Sequence, residues 1–145
     1  MAEIGERVRE VMAAAKNVFV MGTVDAEQQP QMRWMGALVE APDSPWTFYI
    51  VSGAAARKVS QIAGNPAVQL LFTRLPDYAE AATLWGTAEM VADPEIKQMV
   101  WEAIPGMSEY FASADDPNYG VIRFTTRCLE LLAMREQHEP YHVDL

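Results

Sequence analysis

The sequence predicts a mainly β protein: an antiparallel barrel with a few helices outside it. Three observations lead there. Apolar runs of strand character recur along the chain, at 18–24, 31–39, 46–52, 67–73, 78–91, 119–125 and 128–134. Several are joined by short polar loops, and parallel strands would need long crossovers, so the pairing is antiparallel. Runs such as Val18–Val24 are apolar at nearly every position rather than at alternate ones. Strands covered on both faces read this way, and closing the sheet on itself covers them.

The elements follow in chain order. Ile4, Val8, Val11, Met12 and Ala15 recur at helical spacing among charged residues, which makes an amphipathic helix laid on a core, and Asn17 ends it. The polar turn Asp25–Gln29 joins the strand Val18–Val24 to one running from Gln31 to Val39, a hairpin. In that second strand Met32, Trp34, Gly36 and Leu38 face one way. Arg33, Met35, Ala37 and Val39 face the other. Arg33 thus shares a face with apolar neighbours, where an arginine either holds an anion or pairs with a carboxylate.

After the turn Ala41–Pro45 come the strand Trp46–Ser52, a helix over 55–63 and the strand Ala67–Thr73. The run Tyr78–Val91 is a long strand, and Gly86 within it marks a bulge or a close backbone approach. Asp93-Pro94 is a helix start, an N-cap followed by proline at the first helical position. The apolar stripe of that helix is Ile96, Met99, Val100, Ala103 and Ile104; Trp101 lies off it, on a face suited to a ligand or partner. Pro105–Pro117 reads as a variable connection with helical character around Met107–Ala112, Tyr119–Thr125 and Cys128–Met134 as two strands, and Arg135–Leu145 as a polar tail, loosely ordered or lying on a partner. No repeat or interdomain linker appears, so residues 1–145 read as one domain.

Composition limits the function classes. Half the residues are apolar and the net charge is −9, which argues against a nucleic-acid surface and requires a local positive site for any anionic ligand. No apolar run approaches the roughly 20 residues of a membrane span, and MAEIGERVRE has no apolar centre of a signal peptide; a cytoplasmic protein is expected. The single cysteine, Cys128, excludes an intrachain disulfide and reads as a buried structural thiol. His138 and His142 sit in the polar tail with Glu136, Glu139 and Asp144, and read as surface residues rather than metal ligands.

The stretch 48–72 carries the chemistry. A strand leads into Gly53 and three alanines, small enough for a ligand to approach the backbone, and then into Arg57 and Lys58 at a helix start. Free N–H groups, the helix dipole and two cations together suit a phosphate group.

Three segments, MGTVDAEQQPQMRWM, WTFYIVSGAAARKVSQIAGNPAVQLLF and LWGTAEMVADPEIKQMVW, resemble the pyridoxamine 5′-phosphate oxidase-like split-barrel superfamily, with the general stress protein group as the nearest branch. The resemblance covers about Val18 to Phe124. It implies a split barrel, a homodimer, and flavin mononucleotide (FMN) sites at the subunit interface. It places Arg33 at the FMN phosphate or ribityl chain, Trp34 and Met35 near the ring, Val51 and Ser52 along the ring or ribityl side, and Arg57 and Lys58 on the phosphate. Trp85 and Trp101 are further candidates, reaching the site of the other subunit. The function implied is electron or hydride transfer between a nicotinamide donor and a small-molecule acceptor. The alternatives are a deazaflavin (F420) cofactor, or a flavin-binding stress protein without turnover. True pyridoxamine-phosphate oxidases carry an Arg-x-His arrangement near the C-terminus; Arg135 and His138 stand at another spacing, so vitamin B6 oxidation is not implied.

Overall fold

Two strands that follow each other in the chain lie at opposite ends of one sheet, and this closes the fold. The computed structural model describes residues 2–145. Helix α1 (Ala2–Ala14) precedes β1 (Phe19–Val24), β2 (Pro30–Met35), β3 (Leu38–Glu40) and β4 (Thr47–Gly53). Then come α2 (Arg57–Gly64), β5 (Ala67–Thr73), β6 (Glu80–Met90), α3 (Pro94–Ala103), a short 3-10 turn (Met107–Glu109), β7 (Tyr119–Ala133) and β8 (Tyr141–Asp144). The strand order is β2-β1-β5-β6-β7-β4-β3, with β8 pairing β7. Every pairing is antiparallel. Only Gly36 and Ala37 separate β2 from β3, so the two ends of the sheet must curl together. The backbone N–H of Val51 on β4 donates to Ala37 O across this junction at 3.2 Å. The result is a curled antiparallel half-barrel, the split barrel expected from the sequence.

The interior is filled by the inward residues of alternating strands. Phe19 and Phe72 stack with ring centroids 5.1 Å apart, and α1 closes this core with Val8 and Val11, both fully buried. Each such side chain contributes about 1.5–3 kcal/mol by leaving water. A second cluster lies under α3, where Val100 meets Tyr49, Tyr119 and Val121. Lys16 and Asn17 take left-handed backbone angles and turn the chain out of α1, where the helical pattern was expected to stop.

Several sequence expectations need correction. The strand expected over 31–39 is two strands, because Gly36–Ala37 carries the chain from one end of the sheet to the other. The two strands expected at 119–125 and 128–134 are one 15-residue strand, β7. Thr126 and Arg127 look like an interruption in sequence, but the register shift opposite Gly86 absorbs the extra residue. The polar tail is ordered as β8: Tyr141 and Val143 alternate with His142 and Asp144, and Val143 enters the core. Val18–Val24 is not covered on both faces of the single chain; in β1 Phe19, Met21 and Thr23 are buried while Val20, Gly22 and Val24 are half-exposed. Gly86 is a bulge as expected, and a Cβ there would lie 2.0 Å from Thr125 O. Asp93 caps α3 as expected, accepting the N–H of Glu95 at 2.9 Å. Among the described residues no helix is long and apolar enough to cross a membrane.

Candidate functional site

The split of the barrel opens a cleft of about 520 Å³ where β2, β4 and α2 converge. Five of the residues singled out in sequence line it: Trp34 and Met35 from the end of β2, Val51 and Ser52 from β4, and Lys58 from the first turn of α2. The local sequence explains the layout. Gly53 to Ala56 are small and turn the chain sharply, with Ala56 N–H donating to Gly53 O at 3.2 Å. No side chain caps α2, so the N–H groups of Arg57 and Lys58 remain available to a ligand, while Val59 N–H donates to Ala56 O at 3.0 Å. Ser52 and Lys58 bracket this turn: Lys58 Nζ donates to Ser52 Oγ at 3.2 Å, and Ser52 Oγ donates to Gly53 O at 3.0 Å.

Neither Arg33 nor Arg57 is among the residues that line the cleft, and Arg33 is held against β1 and α2 instead. Its guanidinium donates to Met21 O (3.1 Å), Thr23 Oγ1 (2.9 Å) and Gln61 Oε1 (3.1 Å). All three acceptors are neutral. Of the two sequence readings, the carboxylate pairing is therefore not found. Among the described residues no carboxylate forms an ion pair with Arg33, Arg57 or Lys58, although Arg7, Arg9, Arg74 and Arg123 are all paired. Burial lowers the affinity of Arg33 for its proton, and the charge of Arg57 lowers it further. Burial does the same to Lys58, reinforced by Arg33. Arg33 thus lies in the field of Arg57, and Lys58 in that of Arg33, with no carboxylate ion-paired to any of the three, in a chain whose net charge is −9. Such an arrangement favours an anion.

Trp85 and Trp101, expected to reach the site of the other subunit, do not line the cleft of their own chain. Trp85 faces outward from β6 and lines a separate apolar groove of about 490 Å³, with Val20, Met32 and Leu71. Trp101 packs edge-on against Tyr119, centroids 5.4 Å apart, and belongs to the second core cluster. Lys97, one turn earlier on α3, lies over the same ring, and its carbonyl accepts the Tyr119 hydroxyl at 2.9 Å. The core therefore reaches round α3 beyond its apolar stripe.

One wall of the cleft was missed in sequence. Residues of the stretch from Pro105 to Phe111, within the connection read as variable, line it together with Ile104 from the end of the α3 stripe. Gly106 takes φ +81°, the left-handed conformation that redirects the chain, and Met107 anchors the turn in the second core cluster. Phe111 packs on Tyr119, and Tyr110 is left 78% exposed at the rim. The adjacent aromatics after a glycine were the available signal.

The chain matches the pyridoxamine 5′-phosphate oxidase family over residues 4–132, nearly its whole length. It belongs to that family. Solved structures share its fold. One is a Clostridium acetobutylicum protein related to general stress protein 26, with a TM-score of 0.81 and 20% identity over 100% of this chain and 96% of the other. Another is an FMN-binding, pyridoxamine 5′-phosphate oxidase-related protein from Nostoc punctiforme, with a TM-score of 0.76 and 12% identity over 100% and 97%. A heme-binding protein from Mycobacterium smegmatis has a TM-score of 0.72 and 14% identity, covering 94% of this chain and 56% of its own. No curated protein matches the sequence.

Proposed function

We propose that this family member binds FMN in the cleft at the barrel split and works as a homodimeric oxidoreductase. It would pass electrons or hydride from a nicotinamide donor to a small acceptor. The observation that carries the reading is that Arg33, Arg57 and Lys58 are not ion-paired, and that Lys58 lines a cleft of about 520 Å³ together with Trp34, Met35 and Phe111. Its volume suits a small-molecule site. A flavin phosphate supplies the counter-charge that the three cations lack, and its ring suits the walls offered by Trp34, Met35 and Phe111. The fold is shared with a protein described as FMN-binding. Bound flavin would supply the redox chemistry; the protein's part is to position it and exclude water. Lys58 and the first N–H groups of α2 would hold the phosphate, with Arg57 and Arg33 adding charge.

The dimer reading rests on the outer face of β1, β2, β5 and β6. Met32 is 75% exposed and Trp34 72%, and Leu71 and Trp85 continue the apolar surface. A second copy laid there would cover the groove that holds Trp85 and wall the open side of the cleft beside Trp34. A protomer at micromolar concentration that stays monomeric by light scattering while holding flavin would contradict it.

The deciding experiment compares FMN with riboflavin, followed by fluorescence quenching. Changing Arg57 and Lys58 together to alanine should weaken FMN at least about 100-fold and riboflavin far less. Equal weakening of both ligands would overturn the phosphate assignment. Binding of a deazaflavin in preference to FMN would move the cofactor to that alternative. Bound FMN that neither NADH nor NADPH reduces would make the protein a flavin carrier without turnover.

A further inference from the structure

We propose that Cys128, His142 and Asp144 form a binding site for one zinc-class transition-metal ion, on the outer face of the β7–β8 ladder. The register creates it. Cys128 pairs with Asp144 and Glu130 pairs with His142. Paired residues of antiparallel strands point to the same side, and so do residues two apart on one strand. Four metal-competent side chains therefore occupy one small square. The alternate residues Leu129, Leu131 and Val143 turn the other way and are buried in the core, which fixes the register.

The donor atoms of Cys128, His142 and Asp144 lie within 4.8 Å of one another. In a tetrahedral zinc site, donors at 2.0–2.3 Å from the metal stand about 3.5 Å apart. The gap to be closed is about 1 Å, and Asp144, whose side chain is 86% exposed, is free to close it. Sulfur, imidazole and carboxylate together select zinc and its late first-row neighbours over magnesium or calcium, which take oxygen ligands.

Glu130 completes the arrangement. Its Oε2 lies 2.9 Å from His142 Nδ1, while Nε2 is turned to Asp144 Oδ1, also at 2.9 Å. A carboxylate accepting the Nδ1 proton leaves the Nε2 lone pair for a metal, the arrangement that commonly orients a zinc-bound histidine. On binding, the Cys128 thiol loses its proton to solvent and becomes a thiolate ligand. Cys128 is 9% exposed and forms the floor, while His142 and Asp144 form an open rim. The fourth position faces solvent and takes water. The site borders the apolar groove at Trp85, which pairs with Cys128, but lies outside the groove's lining and outside the flavin cleft.

Cobalt(II) titration of the full-length protein, read as a difference spectrum, tests this. The expected result is one cobalt per chain, with a sulfur-to-cobalt charge-transfer band and the intense visible absorption of a four-coordinate ion, both removed by one equivalent of zinc. Cys128→Ser should abolish the charge-transfer band and weaken zinc at least about ten-fold. Asp144→Asn should also weaken zinc at least about ten-fold; it sits at an exposed position, so this result does not depend on how the buried serine packs. His138→Ala, outside the cluster, should leave binding unchanged. No saturable band in the parent protein overturns the site. So does zinc affinity that survives both Cys128→Ser and Asp144→Asn, or that is lost in His138→Ala.

Discussion

Arg33 Nη2 donates to Gln61 Oε1 at 3.1 Å, so the half-buried guanidinium is oriented by an amide and keeps its charge uncompensated. The same Oε1 accepts the Thr23 hydroxyl at 2.6 Å, which ties α2 to the β1–β2 hairpin. A neutral acceptor orients a cation without cancelling its field, as an anion site requires. Substituting Gln61→Glu keeps the size and places a carboxylate on Arg33. The expected outcome is FMN affinity at least about ten-fold lower, through loss of positive field and direct repulsion of the phosphate, with riboflavin affinity little changed. Paired titrations with the two ligands check this. Unchanged FMN affinity would remove Arg33 from the anion site.

Lys58 gives the site a pH signature. Burial and the neighbouring Arg33 hold its ammonium below a lysine's ordinary value in the free protein. A bound phosphate dianion stabilises the charged form and raises that value again. Binding therefore takes up a proton wherever free Lys58 is deprotonated. FMN affinity should fall as pH rises through the free-protein value, below the usual lysine range, and level off above the value in the complex. Lys58→Arg should flatten this limb, because arginine keeps its charge throughout. Fluorescence titrations across the alkaline range measure it, with riboflavin as the flat control.

How much of this was legible in sequence depended on distance along the chain. Apart from Arg33, which comes from the hairpin, the anion site lies within one short stretch: Ser52, the small residues after it, and Arg57-Lys58 at the head of α2 are neighbours in sequence. The opposite wall is placed by packing over a distance. Tyr110 reaches the rim only because Met107 enters the second core and Phe111 meets Tyr119 on β7. The packing of Trp101 on Tyr119 was hidden for a related reason. A helical wheel assigns one buried stripe, whereas Tyr119 packs on the face carrying Lys97 and Trp101. β8 is four residues long with two polar members, too short for its alternation to stand out. Barrel closure was inferred from strands apolar on both faces. The closing device itself is Gly36–Ala37, a change of sheet end that looks like uninterrupted alternation.

Acid should loosen α1 from the barrel. Glu80 on β6 accepts from Arg7 of α1 at 2.8 Å and from Arg74 at 2.6 Å. Burial pushes the Glu80 carboxyl up, but the hydrogen bonds and charges of Arg7 and Arg74 outweigh it and hold the group below its ordinary value. A depressed carboxyl contributes stability that is fully present above its unfolded value and is lost as pH falls through its folded one. The melting temperature should decline below the ordinary carboxylate range. Glu80→Gln should be less stable at neutral pH, by about 1–2 kcal/mol, and show a shallower acid decline. Calorimetry of both proteins from neutral to acid pH measures the difference. Parallel acid limbs would locate the acid sensitivity elsewhere.

Gly86 is the position where the β6–β7 ladder tolerates no side chain. A Cβ there would stand 2.0 Å from Thr125 O and 2.9 Å from Phe124 Cζ. The first is backbone in the adjoining strand and cannot rotate aside. Alanine must therefore push β6 from β7 at the bulge, beside the register pair Gly86–Thr126, and disturb the packing of Phe124. Gly86→Ala should cost about 3 kcal/mol or more and lower the melting temperature by roughly 10 °C. Gly64, the last residue of α2, has no atom within 4 Å of its notional Cβ. Gly64→Ala should be neutral or stabilising by up to about 1 kcal/mol, since it removes only unfolded-chain freedom. Chemical denaturation of the two variants side by side gives the comparison. A Gly86→Ala protein as stable as its parent would mean that the bulge yields without cost, and that the close approach of β6 to Thr125 does not hold the register.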